Sequence, residues 1–273
     1  MKNKSFLFSF LFLFLWQVSV AQQTILSDSN LPIMVISTDI DPQTNLPTEI
    51  PDEPKVLGSM QLIYRPDGTR NYLTDITNEL YLNYKGRIAI ELRGSSSQAL
   101  DKKPYGFTTL LQDGDSNNNV SLLGMPSEND WVLNSLAFDP SMIRDYLSYT
   151  LASNMGNYAP RVAYIEVIVN GDYKGVYFLT EKVKRDSDRV NLKKIADDDN
   201  DFPDITGGYI VKADKTTGGD EIAWTLPNYG GWDTNFLHHY PKTEDITSQQ
   251  ANYIENVFYD LAAQTNPANT SIV

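Results

Sequence analysis

A turn rich in hydroxyl groups and cations stands between two strand-like runs of the sequence. The segment RGSSSQ, residues 93–98, follows an apolar run at 88–92, and the pair Lys102-Lys103 comes directly before Pro104. Small residues in such a turn let backbone N–H groups approach phosphate oxygens, and one lysine adds a fixed positive charge beside them. The pattern indicates a phosphate-facing turn. Its alternative is a surface loop whose cations lie at a sheet edge.

Other kinds of catalytic site have little support in the composition. The chain has no cysteine, which excludes disulfides, a thiolate nucleophile and a zinc–thiolate site. His238 and His239 are its only histidines, and without a G-x-S-x-G turn a Ser-His-Asp triad is not supported. The acidic run DDDND at 197–201 lacks the spacing of an EF-hand loop, which favours a solvated loop over a calcium site.

The overall charge narrows the classes of partner. A formal net charge of −13 argues against nucleic acids and anionic membranes, because both are bound through clustered Lys and Arg. The 16 Tyr and 4 Trp also allow a carbohydrate-binding β-module. These aromatic residues are interleaved in strand patterns, however, as core residues are, so this class ranks last.

The first 21 residues have the pattern of a signal peptide. Lys2 and Lys4 form a basic start, residues 6–16 are apolar, and Ser19-Val20-Ala21 suits cleavage before Gln22. The alternative, a membrane anchor, is weaker because the apolar run is shorter than the roughly 20 residues that span a bilayer. We therefore expect a secreted, periplasmic or cell-surface protein with no membrane span after cleavage.

The order of predicted elements gives a fold class. Strands are expected at 31–37, 60–64 and 88–92 and after Pro104, and an amphipathic helix from Pro140 to Met155 with Asp139 as its N-cap. Two β-branched and aromatic runs joined by Asn170-Gly171 predict a hairpin with a type I′ turn. A strand entered through a glycine pair follows from residue 205, and a helix with Thr247 as N-cap spans 246–264.

This order is that of a protein-kinase N-lobe. We predict an α+β fold, with a mostly antiparallel kinase-like sheet, one amphipathic helix and the beginning of a helical C-lobe. Residues 22–58 form a short β/loop lead-in with one strand, and residues 59–273 form the domain.

Five ordered blocks carry a family resemblance. They are RGSSSQ with KKPYGF, LLGMPSENDWVLNS, DPSMIRDYL, NGDYKGVYFLTEKVKRDSDRVNL and GGYIVKADK. Together, over roughly residues 30–265, they resemble the spore-coat protein H (CotH) family of atypical protein kinases. The resemblance implies ATP- and Mg²⁺-dependent phosphorylation of Ser or Thr in an exported or cell-surface protein substrate.

The resemblance also implies nucleotide-binding residues. The phosphate-facing turn and one lysine, Lys103 in preference to Lys102, would contact the phosphates, Arg144 would pair with a carboxylate or phosphate, and Glu181 would lie near the base. The full set is Arg93, Ser95, Ser96, Ser97, Gln98, Lys103, Arg144 and Glu181. These assignments have non-functional alternatives: Arg93 and Lys103 as surface cations at a sheet edge, Arg144 as a solvated helix residue, and Glu181 as part of an exposed turn.

One departure from the family limits the expected activity. In the family, the catalytic and metal-binding aspartates lie in C-lobe motifs, and the second resembles Pro-x-Trp-Asp-x-Asp. This sequence has no such motif. Its single Trp-Asp pair, Trp232-Asp233, precedes the last predicted helix. No catalytic or metal-binding residue is assigned. We expect either a fragment or a degenerate member that transfers phosphate poorly by itself, with the 246–264 helix leaving an apolar stripe exposed. The alternative is a non-catalytic exported binding or surface-structural protein on the same scaffold.

Overall fold

The computed structural model describes residues 26–216, 220–227 and 233–265, within which there are twelve strands and two α-helices. The predicted signal peptide and Trp232 lie outside the described residues. The elements are β1 (Asp28–Ser29), β2 (Ile33–Thr38), β3 (Val56–Ile63), β4 (Asn71–Tyr72), β5 (Leu82–Leu92), β6 (Tyr105–Leu110), β7 (Asp130–Asn134), α1 (Arg144–Asn154), β8 (Val162–Val169), β9 (Asp172–Glu181), β10 (Ile210–Ala213), β11 (Trp224–Leu226), β12 (Thr234–Tyr240) and α2 (Ser248–Thr265).

Seven of the strands form a closed barrel. Their order around it is β2-β3-β5-β6-β7-β9-β8, and every neighbouring pair is antiparallel except β2 and β8. The parallel pairing of β2 with β8, in which Ile36 lies opposite Val169, closes the ring. Closure leaves none of the seven strands with an unpaired edge.

Large apolar side chains fill the barrel. Alternate residues of the strands point inward, and Trp131, Phe107, Tyr177 and Ile36 are among those buried there. A smaller cluster around Ile33 lies apart from this core. The side chains at the alternate positions of β6, β7 and β9 point outward and form the outer wall of the barrel.

The prediction of a kinase-like N-lobe followed by a helical C-lobe is wrong. The sheet does not stay open, because the lead-in strand β2 lies between β3 and β8 and joins them. Helix α1 buries none of its residues, and its apolar stripe at Ile143, Leu147 and Leu151 is exposed. Beyond the barrel the described residues form the three-stranded sheet β10-β12-β11 with helix α2.

The predicted hairpin is confirmed. Strands β8 and β9 are joined by Asn170 and Gly171, whose φ angles are 51° and 79°. Both values are positive, as a type I′ turn requires.

Helix α1 begins later than its sequence pattern predicts. Met142 has a φ of 54°, outside the helical region, so the helix starts at Arg144 rather than at Pro140. The Asp139 carboxylate still stabilises the N-terminal end of the helix, because it accepts hydrogen bonds from the N–H groups of Ser141, Ile143 and Arg144.

Helix α2 packs on the three-stranded sheet. Thr247 caps it, since the Thr247 Oγ1 accepts from the Gln250 N–H and the Gln250 side chain accepts from the Thr247 N–H, both at 3.3 Å. The Phe258 ring lies 4.9 Å from that of Phe236, and Ile254 is buried. Leu261 remains exposed, so only part of the apolar stripe is uncovered. Neither described helix combines the length and the apolar character needed to cross a membrane.

Candidate functional site

A cleft of about 740 Å³ lies beside the end of the barrel. Its walls come from the RGSSSQ turn after β5, the segment that follows β7, the start of α1 and the segment after β10. The polar and charged residues that line it are Arg93, Ser95, Ser96, Ser97, Asn134, Ser135, Asp139, Arg144, Asp145, Asp214 and Lys215. The structure thus brings Arg93, the three serines and Arg144 into one cleft, as the sequence predicts for a shared site.

The turn is built around Gly94. This residue has a φ of 91°, in the region that favours glycine, and a Cβ there would lie on the Ser97 side chain. The chain then makes one 3-10 turn at Ser96–Ala99, in which the Gln98 N–H donates to the Ser95 carbonyl at 3.1 Å. The hydroxyl groups of Ser95, Ser96 and Ser97 make no hydrogen bond within the described part of the chain. They are therefore free to meet a ligand.

Gln98 and Lys103 stabilise the turn through hydrogen bonds to its carbonyl groups and do not line the cleft. The Gln98 Nε2 donates to the Gly94 carbonyl at 2.7 Å, and the Lys103 Nζ donates to the Gln98 carbonyl at 2.5 Å. Lys103 lines a separate cavity of about 320 Å³ on another part of the surface. The neighbouring Lys102 lies over the Tyr177 ring and donates to the Val176 carbonyl.

The two arginines of the cleft differ in their surroundings. Arg93 is exposed, and its guanidinium makes no hydrogen bond or ion pair with residues that the structure describes. Partial loss of solvent lowers the pKa of Arg93, while Tyr149, Asp214 and Glu91 act in the opposite direction. Arg144 is also exposed, but its Nη1 lies 3.5 Å from the Asp139 Oδ1. The hydrogen bonds that Asp139 accepts lower the pKa of its carboxyl to about 2, so this group stays charged at neutral pH.

A second cavity of about 530 Å³ adjoins the first. The two share Arg93, Val132, Asn134 and Asp214 as lining residues. Lys182, Lys212, His239 and Lys242 add polar groups to the second cavity, and Val132, Val183 and Val211 give it apolar walls. The sequence motifs did not identify Asn134 or these lysines, because they lie on separate strands and loops that only the fold brings together.

Glu181 lines the second cavity, but its carboxylate is already paired. The Oε1 accepts from the Arg161 Nη1 at 2.7 Å and the Oε2 accepts from the Arg161 N–H at 2.9 Å. The side chain is buried. Glu181 therefore holds the end of β9 against the start of β8.

The described residues contain no group of three His, Asp or Glu side chains placed to hold a metal ion. In the acidic run at 197–201, the Asp199 carboxylate accepts a hydrogen bond from the Ala196 N–H at 2.8 Å. The carboxylates of the cleft are also engaged, Asp145 with the Asn134 amide at 3.1 Å and Asp139 with backbone N–H groups. The described carboxylates therefore do not form a metal site by themselves.

A comparison with models of protein families identifies the family of the chain. The model of a family described as "CotH kinase protein" matches residues 90–273, which is more than half of the sequence. The chain belongs to the CotH family. The region matched to CotH begins within β5 and contains every residue that lines the two cavities, whereas β2 and β3 precede it. No curated protein matches the chain.

Proposed function

We propose that this CotH-family chain binds ATP across the two adjoining cavities, with the triphosphate in the first and the base in the second. The observation that carries the proposal is the position of Arg93, which lines both cavities and makes no ion pair with any described residue. A guanidinium presents planar, paired donors that match phosphate oxygens.

The lining of each cavity fits its part of the ligand. In the first cavity, the hydroxyl groups of Ser95, Ser96 and Ser97 can donate to phosphate oxygens alongside Arg93 and Arg144. In the second, Val132, Val183 and Val211 offer apolar surface to the base, and polar and charged groups beside them can contact its edge.

The reaction proposed is that of a protein kinase that phosphorylates Ser or Thr. Phosphoryl transfer needs metal ions at the phosphates and a group that orients the acceptor hydroxyl. Mg²⁺ is proposed to arrive with ATP; since the described residues do not form a metal site, no step is assigned to it. No catalytic residue is assigned either, and efficient transfer by this chain alone is not proposed.

The proposed protein acceptor is an exported or cell-surface protein that the chain meets after export. Support comes from the signal-peptide pattern of residues 1–21 and from the acidic net charge of −13, which disfavours nucleic acids. The second candidate function is a non-catalytic exported binding or surface-structural protein. The exposed apolar stripe of α1 favours it, since such patches mark interaction surfaces.

Calorimetric and thermal-shift titration with Mg²⁺-ATP tests the proposal. We expect ATP to raise the melting temperature of the wild-type chain, because a ligand at 100 times its Kd stabilises the folded state by about 2.7 kcal/mol. Arg93→Ala should weaken binding about tenfold to a hundredfold, as a hydrogen bond to a charged group contributes about 1.5–3 kcal/mol.

Arg70→Ala is the matched control, because it removes the same charge from an ion pair with Asp28 at a distance from both cavities. It should leave the affinity unchanged. Absence of ATP binding by the wild-type chain would favour the non-catalytic function, and equal affinities of the two variants would show that Arg93 does not contact the ligand.

A further inference from the structure

Arg189 is a buried arginine that lies behind the wall of the second cavity. It is 4 % exposed and lines neither of the two adjoining cavities. Its Nη1 donates to the carbonyls of Lys182 at 2.8 Å and of Asp130 at 3.0 Å. The ladder between β7 and β9 ends with the pair Trp131 and Glu181, so the Arg189 bridge continues the contact between these strands one residue further.

The burial of this guanidinium opposes stability. Its Nε and Nη2 are buried and make no hydrogen bond with any residue that the structure describes, and no described carboxylate forms an ion pair with it. A buried donor without an acceptor and a buried charge without a counter-charge both destabilise the folded state. The ring of Trp131, 5.2 Å from the guanidinium, offers it only a face contact. What an arginine supplies here beyond an apolar side chain is the bridge between the two carbonyls.

The segment that carries Arg189 holds the side chain in place. The Arg189 N–H donates to the Asp186 carbonyl at 3.3 Å, which closes a turn. The Arg161 Nη1 donates to the Asp188 carbonyl at 3.0 Å and so joins the same turn to the start of β8. The bridge is therefore in place before any ligand arrives.

The bridge joins two walls of the second cavity. The connector, residues 180–183, forms one wall, and β7 contributes another through Val132. One carbonyl partner of Arg189 belongs to the connector and the other to β7. Because Val183 lies beyond the end of the ladder, its position relative to Val132 depends on this bridge.

We propose that Arg189 is a positioning residue of the nucleotide site, which holds Val183 at the distance from Val132 that accommodates the base. It acts through the Lys182 backbone and does not touch the ligand. The Val183 carbonyl is also hydrogen-bonded to the His239 Nε2 at 2.9 Å, so the connector is held from two sides. This inference rests on the proposed nucleotide function.

The test measures the affinities of the full chain for ATP and for inorganic tripolyphosphate by calorimetry. Arg189→Met keeps the apolar stem of the side chain and removes the bridge. It should weaken ATP binding about tenfold and leave tripolyphosphate binding unchanged, because only ATP carries a base. Arg189→Lys, which can still donate to a carbonyl, should recover part of the loss.

A second measurement needs no ligand. Hydrogen exchange of the backbone amides at residues 182–184 should be faster in Arg189→Met than in the wild-type chain, because the connector loses one of its anchors. Unchanged exchange there would show that Arg189 does not hold the connector.

Arg65→Met is the matched control. The Arg65 guanidinium also lies over an aromatic ring, 3.7 Å from the centroid of Tyr81, and its Nε pairs with Asp75 at 2.8 Å away from both cavities. Its loss leaves the buried Asp75 without its partner and should lower the melting temperature. At a temperature at which every variant is folded, Arg65→Met should bind ATP as the wild-type chain does.

The outcomes separate this inference from the proposed function. If Arg189→Met binds ATP as tightly as Arg65→Met does, or loses affinity for ATP and tripolyphosphate equally, the positioning role is wrong and the nucleotide function stands. Should Arg189→Met not fold, Arg189→Lys decides by the same ratio of the two affinities, with a smaller loss that is again confined to ATP. If the wild-type chain does not bind ATP, the nucleotide function is wrong and the positioning role falls with it.

Discussion

Replacing Ile36 by alanine is expected to lower the free energy of unfolding by about 2–5 kcal/mol, the cost of removing a large aliphatic side chain from a packed core. Ile36 is 0 % exposed and belongs to the cluster inside the barrel. Its strand, β2, also closes the ring by pairing with both β3 and β8. The effect should therefore be that of a core residue and not that of a residue in a loosely structured lead-in.

Urea unfolding followed by circular dichroism measures the difference. Leu46→Ala is the matched control, because Leu46 lies in the same lead-in region but is 63 % exposed. Its substitution should change the stability by less than about 0.5 kcal/mol. Equal, small effects of the two substitutions would contradict the closure of the barrel by β2.

Glu181→Ala is expected to destabilise the chain by about 1.5–3 kcal/mol, the range for hydrogen bonds to charged groups. The substitution removes the two carboxylate oxygens that accept from the Arg161 N–H and guanidinium, at the point where β8 begins and β9 ends, and leaves the guanidinium only the Asp188 carbonyl. The same urea experiment measures it. The structural role of Glu181 predicts that the effect on stability exceeds the effect on ATP affinity.

Glu49→Ala provides the comparison, since Glu49 is exposed and makes no ion pair with the described residues. It should leave stability almost unchanged. If Glu181→Ala instead keeps full stability and weakens ATP binding, Glu181 contacts the nucleotide directly and its pairing with Arg161 contributes little.

Local patterns in the sequence predict local structure well. Asn170-Gly171 specifies the hairpin turn because both residues must adopt positive φ, and Thr247 with Gln250 specifies the start of α2 through reciprocal hydrogen bonds. The closure of the barrel has no such signal. It depends on pairing between β2 and β8, whose residues are more than a hundred positions apart, and strand periodicity does not reveal which strands are neighbours.

The apolar stripe of α1 shows a related limit. Residues at four-residue spacing, such as Ile143, Leu147 and Leu151, predict that one face of a helix is apolar. They do not predict what covers that face. In the structure this stripe is exposed, and the barrel core is complete without it.

Part of the candidate site can be predicted from sequence. The sequence places the RGSSSQ turn and Arg144 in one site, and residues 93–97 of the turn line one cleft with Arg144, whereas Gln98 does not. The sequence favours Lys103 over Lys102 as the phosphate lysine, but it does not reveal which ammonium groups already have partners. In the structure both are engaged, Lys103 by the Gln98 carbonyl and Lys102 by the Val176 carbonyl.

Hydrogen exchange measured by mass spectrometry, with and without Mg²⁺-ATP, tests the nucleotide cleft most directly. We expect ATP to slow the exchange of backbone amides at residues 93–97 and 180–183, because these segments line the two cavities, while the exposed hairpin turn at 170–171 remains unchanged. No change at residues 93–97 at saturating ATP, or protection confined to other segments, would contradict the placement of the nucleotide between them.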